Sequence, residues 1–338
     1  MAVAPRIKDL DEPQGAPEPG VQAAEHGAPG SVAALERLSE RQRPIGRAAA
    51  LKIRPTRLIS GKDMAILAGL PVLSAIAWTM PESWFAPFGR VFGPMAARFE
   101  PASFHSLVGR IRRAAAIRPM AESPEEVARQ VIADHVVETI QLLKTYQWNG
   151  WRPRVQLRGG EHITAALERG RGVVLWVSHF AFGSLTVKMA LHGAGFAVTH
   201  LGLRRHGFSG SRFGMRFLNP VRTRIEDRYL ERRVFFAPES PTAALRALYA
   251  RLNENRVVSI AAREVARRPF AVPVLGGLLP LGTGALDLAH ATGAALLPVF
   301  SRRDERGAFE VVVEPPLETE RALPRATFRE DAARRYVE

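Results

Sequence analysis

The chain has 338 residues, 46% of them hydrophobic, enough for one large or two ordinary domains with a sizeable core. It contains no cysteine, which excludes disulfides and thiolate metal sites. A formal net charge of +14, carried mostly by arginine, implies attraction to nucleic acid, a membrane surface or an acidic protein, unless GC-rich coding alone inflates the arginine count.

Residues 1–45 are rich in Ala, Pro, Gly and Glu, as in DEPQGAPEPGVQAAEHGAPGS. They offer no apolar face and read as a disordered tail, without the charged start, apolar core and cleavage site of a secretory signal. Residues 46–100 form the next unit, an apolar helical segment containing DMAILAGLPVLSAIAWTMPESWFAPFGRVFG. Met64 to Met80 carries no charge, yet it is slightly short for a perpendicular span and is interrupted by Pro71. Arg54, Arg57 and Lys62 precede it, and Trp78, Trp84 and Phe85 cluster at its far end, an arrangement suited to a membrane interface. A peripheral or re-entrant anchor is one reading; a buried core helix kinked at Pro71 is the other.

Residues 101–338 read as an α/β domain. Helical spacing begins near Phe104, and Ser123, Pro124, Glu125 and Glu126 mark a helix start. Val127, Val131, Ile132, Val136, Ile140 and Leu143 then recur on one face. Short apolar runs follow at 155–159, 172–178, 196–202, 234–238, 256–261, 294–300 and 309–314, with helices at 161–169, after His179, and within ALRALYARLNE and GALDLAHATG. Strands alternating with helices predict a mixed, largely parallel central sheet flanked by helices. Ligands gather at the C-terminal ends of such strands, and His179 stands just past one, in GVVLWVSHFAFGSL.

That block resembles the catalytic block of the bacterial lipid A biosynthesis (lauroyl/myristoyl) acyltransferases, within the lysophospholipid acyltransferase group: a strand, a His, four residues, then Asp or Glu. The resemblance continues through RFGMRFLNPVRTRIEDRYLERR, ALRALYARLNENRVVSIAA, FAVPVLGGLLPLGTGALDLAHATGAALLPVFSRR and GAFEVVVEPPLE, from about Arg57 to Glu318. It implies a membrane-associated enzyme at the cytoplasmic face of the inner membrane, peripheral or N-terminally anchored. Such an enzyme moves a fatty acyl group from acyl carrier protein or acyl-CoA to a hydroxyl or amine of a lipid or glycolipid. His179 would be the general base on the acceptor, and a carboxylate one helical turn on would orient its ring.

This chain departs from the pattern at the second position, where Ser184 replaces the acid, and none of the other histidines is followed by an acid at that spacing. Ser184 can accept a hydrogen bond but brings no charge. Glu226, Asp227, Glu239 and Glu264 are the acids available to fill in. Arg204 and Arg205 follow a strand, Arg204 at the place of an arginine frequent in the family, and are candidate phosphate or carboxylate clamps. Gly282 and Thr283 open a helix whose free N–H groups suit an anion, although Thr283 also fits a plain N-cap. Arg263 stands where related enzymes tend to carry an acid. Arg267-Arg268 and Arg302-Arg303 read as solvated faces, either able to dock an acidic carrier.

No cofactor or metal is required by this chemistry. A nucleic-acid partner rests on net charge alone, with no helix-turn-helix, RNP-like or zinc pattern behind it, and is not expected. The rival to an active acyltransferase is a degenerate homologue that binds lipid or acyl carrier as a partner or scaffold.

Overall fold

A computed structural model describes residues 57–338 except 100, 179, 181, 204–205, 237–240, 263–269, 276, 304–307 and 319–321. The expected tail, residues 1–45, lies outside these.

The centre is a seven-stranded sheet in the order β1-β9-β8-β2-β5-β3-β4, built from Val155–Arg158 (β1), Val173–Val177 (β2), Val198–Leu203 (β3), Arg232–Phe236 (β4), Val257–Ala261 (β5), Ala295–Arg303 (β8) and Phe309–Val313 (β9). Neighbours pair in parallel except β8 with β9. The expected mixed, largely parallel sheet is therefore present. All five residues of β2 are buried, as a central parallel strand covered on both faces must be. Alternation divides them: Val174 and Trp176 join Leu248, Leu252 and Leu286 in one core, while Val173, Leu175 and Val177 join Ile163, Leu191 and Val311 in the other.

Helices cover both faces. Gly160–Glu168 (α5) and Gly183–Gly193 (α6) lie on one; Pro241–Asn253 (α8), Gly284–Thr292 (α9) and Arg325–Val337 (α10) lie on the other. The terminal helix α10 was not anticipated, and neither were two further features. Residues 270–281 fold into an antiparallel ribbon of Phe270–Val274 (β6) and Gly277–Leu281 (β7). A π-helical turn at Gly214–Leu218 runs into Asn219–Asp227 (α7).

The apolar segment forms a helix from Gly61 to Thr79 (α1), with Pro71 inside it, then a helix from Phe85 to Phe99 (α2). Pro101–Ile117 (α3) and Pro124–Lys144 (α4) follow, and α4 starts with the expected cap, Ser123 and Glu126 exchanging hydrogen bonds as a capping box. Ala77, Met80 and Phe85 pack on Val137, Ile140 and Leu143 of α4, and Trp78 Nε1 donates to the Leu143 carbonyl at 3.0 Å. Lys144 ties the same joint by donating to the Met80 carbonyl at 2.7 Å. The opposite side is uncovered: Met64, Leu67, Val72, Trp84, Val91 and Met95 are exposed. Among the described residues no single helix is long and apolar enough to cross a membrane; Asp63–Thr79 and Glu82–Arg98, bent by 117°, pass that test only as a pair. The periodicity on α4 is also wider than read: Val131 is exposed, while Ala128, Ala133 and Val137 are buried.

Candidate active site

β2 ends at Val177, and Ser178 closes it by donating to the Val299 carbonyl from both its N–H, at 2.9 Å, and its hydroxyl, at 3.2 Å. His179 follows and lies outside the described residues, as do Arg204, Arg205, Glu239, Arg263, Glu264, Arg267 and Arg268. The chain is described again at Phe180, whose ring stacks on Phe300 at 6.0 Å, and at Phe182, which caps α6. Phe182 sits at φ 47°, a left-handed conformation that disfavours a non-glycine residue, and its side chain is buried with Leu142, Leu185 and Phe309.

Ser184 lies on the first turn of α6 and is buried. Its hydroxyl accepts from Arg222 Nη2 at 2.7 Å, and its carbonyl accepts from the Lys188 ammonium one turn further on. Both cations belong to a cluster centred on Glu226. That carboxylate is fully buried and accepts from Lys188 at 3.0 Å, Arg233 at 2.9 Å and Arg222 at 3.4 Å, with His206 Nε2 at 2.7 Å. Burial alone would push the Glu226 carboxyl up. Lys188, His206 and Arg222 outweigh it and hold the group well below the usual carboxylate range. Asp227, half-exposed, pairs with Arg233 at 2.6 Å. Of the four acids read as substitutes for the missing one, Glu226 is thus coupled to Ser184 through Arg222 and Lys188, and Asp227 is one ion pair further away.

The cluster is assembled from α6, α7, β4 and the turn after β3. Arg233 lies so close under β3 that a Cβ on Gly202 would come within 3.1 Å of Nη1 and 3.2 Å of Cδ. Beside it, His200 on β3 and Ser259 on β5 are register partners joined at 2.8 Å. Burial, with Lys188 and Arg233 nearby, holds the His200 ring well below its usual pKa and keeps it neutral. Between α6 and strands β2, β3 and β5 is a cavity of about 20 Å³, bordered by Ser184, Lys188, His200 and Ser259. It has room for about one water, not for an acyl chain.

A second acid enters the same turn from another direction. Glu138, on α4, accepts the Phe182 N–H at 2.6 Å. Burial pushes its carboxyl up to about 7, against the lowering pull of the Phe182 N–H, Arg303 and Arg222. No local spacing joins Glu138 to Phe182, since 44 residues separate them.

Of the remaining predicted positions, Arg303 is near enough to Glu138 to lower its pKa, and the others have no contact with these acids among the described residues. Thr283 caps α9 by position, but its hydroxyl makes no cap hydrogen bond; Gly282 precedes it, half-buried. Arg302 pairs with Glu310, while Arg303 reaches Gln141 at 3.2 Å and covers the Phe309 ring at 4.8 Å. Among the described residues no group of three or more His, Asp or Glu is arranged to hold a metal.

No curated protein matches the chain. The sequence profile of the bacterial lipid A biosynthesis acyltransferases matches residues 57–329, a stretch that takes in α1 through the start of α10 and the whole β2–α6 turn. The chain belongs to the bacterial lipid A biosynthesis acyltransferase family.

Proposed function

We propose that this chain transfers a fatty acyl group from an acyl carrier protein or coenzyme A thioester to a hydroxyl or amine of a lipid or glycolipid acceptor. The observation that carries the reading is the family match across a histidine placed directly after the C-terminal end of a buried central parallel strand. His179 acts as the base. It takes the proton of the acceptor O–H or N–H while that atom attacks the thioester carbonyl; the thiolate leaves and takes the proton back from the imidazolium. Arg204 and Arg205 bind acceptor phosphate or carboxylate, and the free N–H groups behind Gly282 and Thr283 hold a further anionic group.

Acting on a lipid, the protein works at the cytoplasmic face of the inner membrane. The uncovered apolar side of α1 and α2, with Trp84 at the bend, favours a peripheral seat in the bilayer interface. Arginine excess attracts anionic headgroups and an acidic acyl carrier protein alike.

The rival reading, a homologue that binds lipid or carrier without turnover, draws on Ser184: its hydroxyl is engaged by Arg222 and supplies no negative charge. Purified protein in detergent, given acyl carrier protein and coenzyme A thioesters with an envelope lipid extract, separates the two. Transfer by the native chain and its loss in His179→Ala support the enzyme. Saturable binding of lipid or carrier without transfer from any donor supports the scaffold.

A further inference from the structure

The family motif places a carboxylate at position 184 to orient the histidine and balance its positive charge during turnover. This chain has a hydroxyl there, between two cations: Arg222 donates to the Ser184 oxygen at 2.7 Å and Lys188 donates to its carbonyl. The negative charge nearest that pair, Glu226, is shared among Lys188, Arg233, Arg222 and His206. It is fully engaged in neutralising them.

Glu138 is differently placed. It projects from α4 beside Val137 and Gln141, both buried, so solubility does not account for it. Its Oε1 accepts the Phe182 N–H at 2.6 Å, and its Oε2 lies 3.8 Å from His135 Nδ1. The charged groups around it are Asp134 and His135 on its own helix, Arg303 on β8 and Arg222 on α7. Phe182 is three residues after His179, and three residues reach at most about 10 Å. The carboxylate is thus fastened to the same short turn as the motif histidine, at the head of α6.

We propose that Glu138 is the positioning carboxylate of this active site, supplying from α4 the negative charge that the His-x4-Ser motif lacks. The inference rests on the acyltransferase reading. Glu138 forms no covalent bond and ends each turnover with the protons it began with. Its part is to orient the base and to offset the imidazolium that forms while the acceptor attacks. With Arg303, Arg222 and the Phe182 N–H already pulling it down, the half-buried carboxyl titrates at about 7; a cation forming nearby draws it further down and keeps it ionised.

The test is steady-state acyl transfer from acyl carrier protein and coenzyme A thioesters to an envelope lipid extract in detergent. It compares the native chain, Glu138→Gln, and Glu138→Gln with Ser184→Asp. A triad that loses its orienting carboxylate loses about 10⁴-fold in kcat, so a fall on the order of 10²–10⁴ is expected in Glu138→Gln, with KM within about threefold. The acid limb of its pH profile should also change shape. Ser184→Asp, which returns a carboxylate to the motif position, should restore at least about tenfold; a purely structural role of Glu138 as a partner of Phe182 gives no such rescue. A folded Glu138→Gln chain with native kcat overturns the proposal, as does a loss that Ser184→Asp leaves untouched. If the glutamine chain does not fold, Glu138→Asp carries the same comparison, with its charge kept and its reach shortened. A native chain with no transfer at all refutes the acyltransferase reading itself, and the positioning role falls with it.

Discussion

Replacing Glu226 by glutamine keeps the shape of the side chain and removes one buried charge. Four donors converge on that carboxylate, Lys188 at 3.0 Å, Arg233 at 2.9 Å, Arg222 at 3.4 Å and His206 at 2.7 Å, and none of the atoms of Glu226 is exposed. Breaking a buried pair from one side leaves an uncompensated charge and costs about 3–5 kcal/mol. Arg233 retains Asp227 at 2.6 Å, so Lys188 is the cation most affected. Its escape is to give up its proton. From the ordinary lysine value of 10.5, neutralising it at pH 7 costs about 5 kcal/mol, at about 1.36 kcal/mol per pH unit, which sets a ceiling on that route. A loss of about 4 kcal/mol lowers the melting temperature by roughly 10 °C in a domain of this size. Thermal unfolding in detergent at pH 7, followed by circular dichroism, measures it directly. Adding Lys188→Met to Glu226→Gln should recover part of the loss, since it removes the orphaned cation. A shift of less than about 2 °C in the single variant would refute the argument that this carboxylate holds the cluster together. The pH dependence gives a second check. Because the folded-state pKa of Glu226 is depressed, its contribution is complete above the ordinary carboxylate value and disappears as pH falls through the folded one. Glu226→Gln should lack that acid limb.

The remaining predictions concern neighbouring features. Gly202→Val should destabilise by about 1–3 kcal/mol in urea unfolding, because its Cβ would meet the Arg233 guanidinium at 3.1 Å. The folded Glu138 carboxyl, at about 7 against an ordinary 4.5, binds its proton more tightly than in the unfolded chain, so native stability should decline as pH rises from about 4.5 to 7. Glu138→Gln lacks that decline, and unfolding free energies of the two chains should diverge by up to about 3 kcal/mol over the interval. Val72→Asp with Val91→Asp, both on the exposed side of α1 and α2, should cut co-flotation with phosphatidylglycerol vesicles at least about tenfold while the melting temperature stays within 2–3 °C. Unchanged flotation would refute a lipid contact through this side.

The strands were legible because parallel strands buried on both faces are largely apolar runs: β2 is wholly so, β5 is interrupted only at Ser259, and β8 is apolar from Ala295 to Phe300. The β6–β7 ribbon was not, since Pro273 and Pro280 break a strand pattern; a two-stranded ribbon tolerates them because each strand has a partner on one side only. Within the site, the position after β2 was readable from local order, whereas the ionic cluster was not. Lys188, His206, Arg233 and the α7 pair Arg222 and Glu226 come from four separate elements, and no local spacing joins those elements. Two traces were visible in hindsight. Lys188 falls on the apolar face of α6 with Leu185 and Leu191, and Arg222 with Glu226 is an i, i+4 pair. Glu138 left a similar trace, a charged residue flanked by buried Val137 and Ile140, but its partner is a main-chain N–H, which sequence never marks.

One helix reaches both ends of the molecule's working parts. The C-terminal end of α4 receives Trp78 and the Met80 carbonyl from the apolar hairpin, and Glu138, less than two turns earlier, holds the Phe182 N–H. An exchange of residues 57–99 for a generic membrane tether would therefore strip the apolar cover from the strut that carries this carboxylate. Grafts between relatives should be cut after α6, so that the hairpin, the mount and the turn it braces travel as one inherited piece.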